Sequence, residues 1–531
     1  NSQRSVAMAL SVDRSVRPEI STAYARLEEK ILERDQKGAS DIFYDLVRAQ
    51  VPLAELVGQI VRIHAPYTHV PYHQRLDDGV PRFVNNDHCL LSSRATLDLV
   101  PRMPPALAFL PVAQTIWYLP TGLDPWNQLL GKMPGHYVRL YEIKFEGKPP
   151  LPEVHWPDQP PLAIDGTWPE RLNTWLTLVQ RGEVINAYRV FLGLWEAAVT
   201  DPDRRTALLA QLVFAGLIDV QDRVFHNRSY TTGHKSYRAR ATVALARMVG
   251  WENAHSVLYA GVPDIAVGPR WYSTYEMGCL VIQNLLDSRD RELLENDAPL
   301  TPVESLALQQ AILSGQEPAF IDLIVALLKS GRGHRQIIDT IQLASAQLII
   351  ETGDVNGYSM PQHSYEYCNT VRWFFDTFQH PHRLKLLFVA AAFVTRAAHH
   401  QKHTPDNNPV RIAPPKGSDA LTSSEQLKRL DSALDGLRAF EAMDWVAAYL
   451  HSGADRAPLL QTLAVGAAKA GNDPHNQELG TCLLDDYGHS TAEERDRLLY
   501  ASAKHTAGHR KYGSHLDAWR RYADAFGLAR H

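Results

Sequence analysis

The sequence predicts an all-α protein, a multi-helix bundle built from internally repeated helical units in two pseudo-equivalent halves. Three observations predict it. Apolar residues recur at three-to-four spacing over most of the chain, the period of an amphipathic helix. Proline, glycine and short polar clusters punctuate those stretches at helix-length intervals. An apolar pair, a small polar turn and a second apolar helix recur together. They run from Leu46-Val47-Arg48-Ala49-Gln50 into Leu56-Val57, and from Leu327-Leu328-Lys329-Ser330-Gly331 into Ile337-Ile338. Looser copies are Leu178-Val179-Gln180-Arg181-Gly182 and Tyr449-Leu450-His451-Ser452-Gly453.

In chain order, Pro18 opens a helix over 19–37, with further helices at 41–49 and 53–63. Residues 67–87 carry Pro71, Asp77, Asp78, Gly79, Pro81, Asn85 and Asn86 and read as loop. Alternation over 137–145 predicts a short strand, and 149–161 is a proline-rich surface connection. From 168 to about 400 nearly every segment is helical, and the small apolar run 391–398 suits a buried helix. Residues 402–424 form a polar linker, and helices resume at 425. The expected organisation is an N-terminal half, 1–275, with a loop and short-strand insertion near 135–165. A C-terminal half, 276–531, holds the linker, and the two close as one unit.

The 531 residues include 45% hydrophobic and 21% charged residues, ordinary globular usage, with a net charge of -5. No basic stripe calls for nucleic acid, and no polybasic or long apolar run calls for a membrane. Cys89, Cys279, Cys368 and Cys482 are far apart and form no CxxC pair, so reduced thiols and a cytoplasmic setting are expected. The first residues are polar and hold no signal-peptide core. HExxH, P-loop, GxGxxG, GxSxG, EF-hand and CxxCH signatures are all missing.

The 23 histidines are the unusual feature. Four follow a small or polar residue at what reads as the head of a helix: His88, His234, His363 and His509. Their intervals are 146, 129 and 146 residues, as a two-fold duplicated chain would give. Side chains in a first helical turn point back over the helix start and can converge with those of a neighbour. The four imidazoles are therefore expected to meet at one centre, as ligands for iron, zinc, copper or nickel. The plainer alternative makes each one a cap or packing residue. His505 shares a helical face with His509 and is a candidate ligand or supporting partner. His64, His69 and His73 read as a helix end and loop, His380 and His382 as a turn, and His399, His400 and His403 as a solvated helix end. Aromatic stretches such as Trp271-Tyr272-Ser273-Thr274-Tyr275 and Tyr365-Glu366-Tyr367 are candidates for a ring-binding cavity. Tyr237, Tyr365 and Trp271 are the substrate-binding candidates.

At these four histidine-headed motifs the chain resembles the questin oxidase-like family of all-helical non-haem iron oxygenases. The resemblance implies Fe(II), held by His88, His234, His363 and His509 with a carboxylated lysine as fifth ligand. It also implies dioxygen and an aromatic or polycyclic small molecule as substrates. Lys511, two residues after His509, is preferred for the lysine and, with His505, as a catalytic group. Lys235 is the other candidate but projects away from its neighbour's face. The chain departs from the family in length and in its proline-rich insertion. A zinc-type metallohydrolase and a non-enzymatic helical-repeat scaffold are the alternative readings.

Overall fold

A computed structural model describes residues 18–65, 82–83, 87–122, 128–130, 137–139, 159–220, 223–225, 228–230, 232–266, 272–355, 357–403, 410–471, 473–509 and 515–529. Helices carry the fold, as the periodicity predicts. Strands are confined to short pieces. Arg82–Phe83, Gln128–Leu130 and Tyr137–Arg139 form a small antiparallel sheet, with Leu129 opposite Val138. Arg223–Phe225 pairs with Arg228–Tyr230. The predicted strand over 137–145 starts where expected, and its remainder lies outside the described residues, as do most of the 67–87 and 149–161 segments.

The chain divides into two compact units: Asn1–Thr96 with Val112–Trp271, and Leu97–Pro111 with Tyr272–His531. In the first unit three helices follow one another at Pro18–Leu32, Gln36–Arg48 and Leu53–His64, and Asp87–Leu99 comes next. The same succession recurs as Trp168–Gln180, Val184–Ala197 and Pro202–Leu217, followed by His234–Val249. The second unit holds it twice as well. One copy is Pro302–Leu313, Glu317–Lys329 and His334–Glu351, followed by Ser359–Thr377. The other is Ser423–Asp435, Ala439–His451 and Ala457–Lys469, followed by Pro474–His489.

Local chemistry sets these boundaries. Thr167, Thr301 and Thr422 each accept a hydrogen bond from the backbone of Glu170, Glu304 and Glu425, whose carboxylates return the contact. Each such box satisfies two donors that a helix start leaves open. The first two helices of every succession are joined by three residues, and the turn contains one residue in the left-handed region: Arg34, Gly182, Gly315 or Leu437. The predicted 19–37 helix breaks early for this reason. Arg34 turns at φ 60, and Asp35 caps the next helix by accepting from Gly38 N.

The core of the second unit runs through His334–Glu351, Ser359–Thr377, Leu386–His400, Pro474–His489 and Asp496–Gly508, most of whose residues are buried. The small-residue stretch expected to be a buried helix is one. Several polar groups inside this core pair with one another. Ser345 meets Ser364 at 2.7 Å, and Thr395 donates to the Ile312 carbonyl at 2.9 Å. Arg372 is sandwiched by Asp376, Asp485 and Asp486, and Tyr365 donates to Asp486 at 2.7 Å. Burial alone would lower the Arg372 pKa, but Asp486 and Asp485 raise it above its ordinary value. No helix among the described residues is long and apolar enough to cross a membrane.

Candidate metal centre

In the second unit the Ser359–Thr377 helix presents His363 and, three residues on, Glu366, so both lie on one face. The Pro474–His489 helix brings His475 against them. One ligand atom from each of His363, Glu366 and His475 lies within 4.8 Å of the other two, and all three residues are buried. The rings of His363 and His475 meet edge to face, 4.8 Å apart and 85° from parallel. His363 Nδ1 lies 2.6 Å from the Ser359 carbonyl, one turn back, so that nitrogen carries the proton and Nε2 keeps its lone pair. His475 Nδ1 lies 2.7 Å from Glu366 Oε1, an orienting contact typical of metal-bound imidazole.

Asp473 fixes this corner. One carboxylate oxygen accepts from His475 N at 3.0 Å, capping the helix whose first residue is Pro474. The other accepts from His509 Nε2 at 2.8 Å. His509 stacks on His505, with centroids 5.0 Å apart, and His505 Nε2 meets Gln362 Oε1 at 3.0 Å. Gln362 is the neighbour of His363. His505 in the Asp496–Gly508 helix and His509 at its C-terminal cap thus brace both ligand-bearing helices.

The Tyr358 ring sits edge-on to both, and a Cβ at Gly508 would run into its hydroxyl, so only glycine leaves room there. Lys504 Nζ donates to that hydroxyl at 2.9 Å and to the Thr352 carbonyl. Burial lowers the Lys504 pKa to about 8. Burial, and then His509, hold the His505 imidazole well below its usual range.

In the first unit His88 and His234 also meet edge to face, 5.1 Å apart and 87° from parallel. Both are buried near the heads of their helices, His88 as second residue of Asp87–Leu99 and His234 as first of His234–Val249. Tyr237 packs edge-on to His234 at 5.7 Å. Lys235 Nζ is 2.5 Å from Asp219, and both side chains are fully buried. That pairing suits an ammonium. An anionic carbamate would place like charges together.

Of the residues singled out from the sequence, the structure pairs His88 with His234 inside one unit. It buries His363 beside His475 inside the other. His509 does not open a helix: Asp496–Gly508 ends just before it, and its backbone N–H caps that end through the His505 carbonyl. No ligand grouping of three among the described residues includes His509. His475, second residue of Pro474–His489, is a helix-head histidine that sequence spacing passed over, while His363 stands fifth in Ser359–Thr377, one turn in from the expected helix start. The signal for His475 was present in Asp473-Pro474-His475, a cap, a first-turn proline and the histidine. Glu366 was passed over too, although His363-x-x-Glu366 has the spacing of one helical face. Tyr365 is buried, with its hydroxyl on Asp486, and His505 lies beside His509 as expected of a supporting partner. Lys511 and Trp271 lie outside the described residues.

No family model, no curated protein and no solved structure matches the chain.

Proposed function

We propose that this protein is a metal-dependent oxidoreductase, a non-haem iron oxygenase of aromatic or polycyclic small molecules, with His363, Glu366 and His475 as ligands. The observation that carries the reading is the buried grouping of two imidazoles and one carboxylate within 4.8 Å. That donor set, with positions left open, is the one non-haem Fe(II) oxygenases use. The carboxylate supplies the anionic ligand that imidazoles alone would lack. Bound Fe(II) would supply the electrons by which dioxygen is used. The chain's own part is to hold the His363 tautomer through Ser359 and to aim His475 through Asp473 and Glu366. The aromatic substrate class rests on the resemblance at the histidine-headed helices. Cys89, Cys279, Cys368 and Cys482 form no disulfide with one another, which supports a reducing, cytoplasmic setting.

A second reading has one specific support. Glu366 against His475 Nδ1 resembles the carboxylate–histidine–zinc arrangement, in which Glu366 orients a ligand and zinc-bound water does hydrolysis. Metal analysis of protein grown with iron and zinc decides between them. Iron near one equivalent, falling at least tenfold in His475→Ala, with oxygen uptake on adding polycyclic phenols, is expected for the oxygenase. Zinc with oxygen-independent activity would favour the hydrolase. Metal-free native protein would overturn both.

A further inference from the structure

Three lysines are buried among the described residues, and two of them sit on carboxylates. Lys235 meets Asp219 at 2.5 Å, and Lys469 meets Asp431 at 3.1 Å and Asp435 at 3.3 Å. Lys504 differs. It is 1% exposed, and its Nζ donates to the Tyr358 hydroxyl at 2.9 Å and to the Thr352 carbonyl, both of them neutral acceptors. Two aromatic rings flank it, with Nζ 4.7 Å from the centre of Phe440 and 5.0 Å from that of Tyr358. Ring faces attract a cation weakly and supply no counter-charge. A buried ammonium without a carboxylate is costly, so the group yields its proton instead. Burial lowers its pKa to about 8, which leaves about one-tenth of the amine neutral at pH 7. A desolvated, neutral lysine is a nucleophile. As the free base it still donates to Thr352, and its lone pair can take the Tyr358 proton, so the phenol is placed to move protons at this nitrogen. Phe440, second residue of Ala439–His451, is 51% exposed although its ring covers Nζ. The amine therefore lies one side chain below the surface.

We propose that Lys504 is a carbonyl-trapping amine, forming an imine with small apolar aldehydes or ketones that enter past Phe440. The nitrogen lone pair adds to the carbonyl carbon, and the C–N bond forms as the C–O π bond breaks. A proton passes from nitrogen to oxygen by way of the Tyr358 hydroxyl. The C–O bond then breaks as C=N forms, and both amine protons leave on the oxygen as water. Carbonyl compound and amine give imine and water, with no oxidant or reductant. The flanking rings select an apolar carbonyl compound over a charged one. The site requires nothing at His363, Glu366 and His475, so it stands or falls apart from the metal centre.

The test is reductive trapping on native, full-length protein with propanal and sodium cyanoborohydride, between about pH 6 and pH 11. Peptide mass mapping follows the propyl adduct at each lysine. At pH 7 Lys504 holds roughly two hundredfold more free amine than an exposed lysine, so its adduct should form at least tenfold faster than any other lysine's. Its rate should level off above about pH 8, whereas exposed lysines should gain rate up to about pH 10.4. Tyr358→Phe should slow trapping at Lys504 alone, and Phe440→Ala should speed it. A Lys504 adduct that forms no faster than those of exposed lysines, or only once urea unfolds the chain, overturns the proposal and leaves Lys504 as a tie between Thr352 and Tyr358. Native rates in Tyr358→Phe overturn the part given to the phenol, and native rates in Phe440→Ala overturn the entry past that ring.

Discussion

At the scale of single residues, Asp473 does the most with the fewest atoms. It caps the helix that carries His475 and accepts from buried His509, so one side chain sets the position of two imidazoles. Replacing it with alanine removes a cap, worth about 1 kcal/mol, and a buried charge-assisted bond, worth about 1.5–3 kcal/mol. Urea denaturation of Asp473→Ala should therefore show a loss of roughly 2–4 kcal/mol. Asp473→Asn keeps an acceptor for the cap and should lose less. Equal stability of wild type and Asp473→Ala would mean the carboxylate carries neither load. The histidines themselves were legible as a class, because a histidine at a helix start is a local pattern. Equal intervals make His509 read as the opener of a helix, equivalent to the others, but it follows the end of one. Loops and insertions, such as the segment near 135–165, change the count between equivalent residues without changing the order of helices. The 146-residue interval joins two helix heads at His88 and His234, and the equal interval from His363 to His509 does not. Glu366 stayed hidden because a carboxylate on a helix face looks solvated until a second helix covers it.

At the scale of elements, the turns were the most legible part. The four turns that read as copies in the sequence end at Gln50, Gly182, Gly331 and Gly453, and all adopt positive φ: 60, 71, 92 and 70. They are not equivalent: Gly182 follows the first helix of its succession, and the others follow the second. Three use glycine, for which this region is free of Cβ strain. Gln50 uses an exposed side chain at the same kind of turn. Two opposite substitutions follow. Gln50→Gly should stabilise by about 0.5–1 kcal/mol by removing that strain. Gly453→Ala, at an exposed position where a Cβ meets nothing, should destabilise by about 1 kcal/mol from backbone conformation alone. Thermal melts of the two variants check both signs. A Gly453→Ala protein as stable as wild type would contradict the turn assignment. Helix boundaries were less legible where a cap lies in the run of a continuing pattern. The apolar spacing over 19–37 continues past Asp35, and only the cap bond to Gly38 reveals the break.

At the scale of the whole molecule, buried neutral histidines govern the response to acid. Burial lowers the pKa of His64 to about 3 and of His334 to about 4, where Arg383 and Arg335 add to it. His380 falls to about 3 for the same first reason, with His382, Arg383 and Lys385 adding to it. Above the unfolded value, about 6.5, these groups are neutral in both states and add no pH dependence. Below it the unfolded chain takes up protons that the folded chain refuses, so stability falls as pH drops from about 6.5 toward 4. Each such histidine contributes up to about 1.4 kcal/mol per pH unit in that window. His334→Gln should make the stability–pH slope shallower by about one proton, read from denaturation midpoints between pH 6 and 4.5. An unchanged slope would mean His334 is protonated in the folded state. The all-helical class was legible because period alone decides it, whereas the pairing of distant helices rests on packing no local pattern encodes. The recurring three-residue connections carry a kinetic consequence. Each joins helices adjacent in sequence, so its contacts close over short loops with small entropic cost. A chain leaving the ribosome can complete one such hairpin before the next has been made, its start already marked by Thr167, Thr301 or Thr422. His475 belongs to the last of the four successions. The helix that carries His475 is therefore made after the three earlier successions and before the Asp496–Gly508 segment, so the candidate centre is complete only once His505 and His509 have followed it.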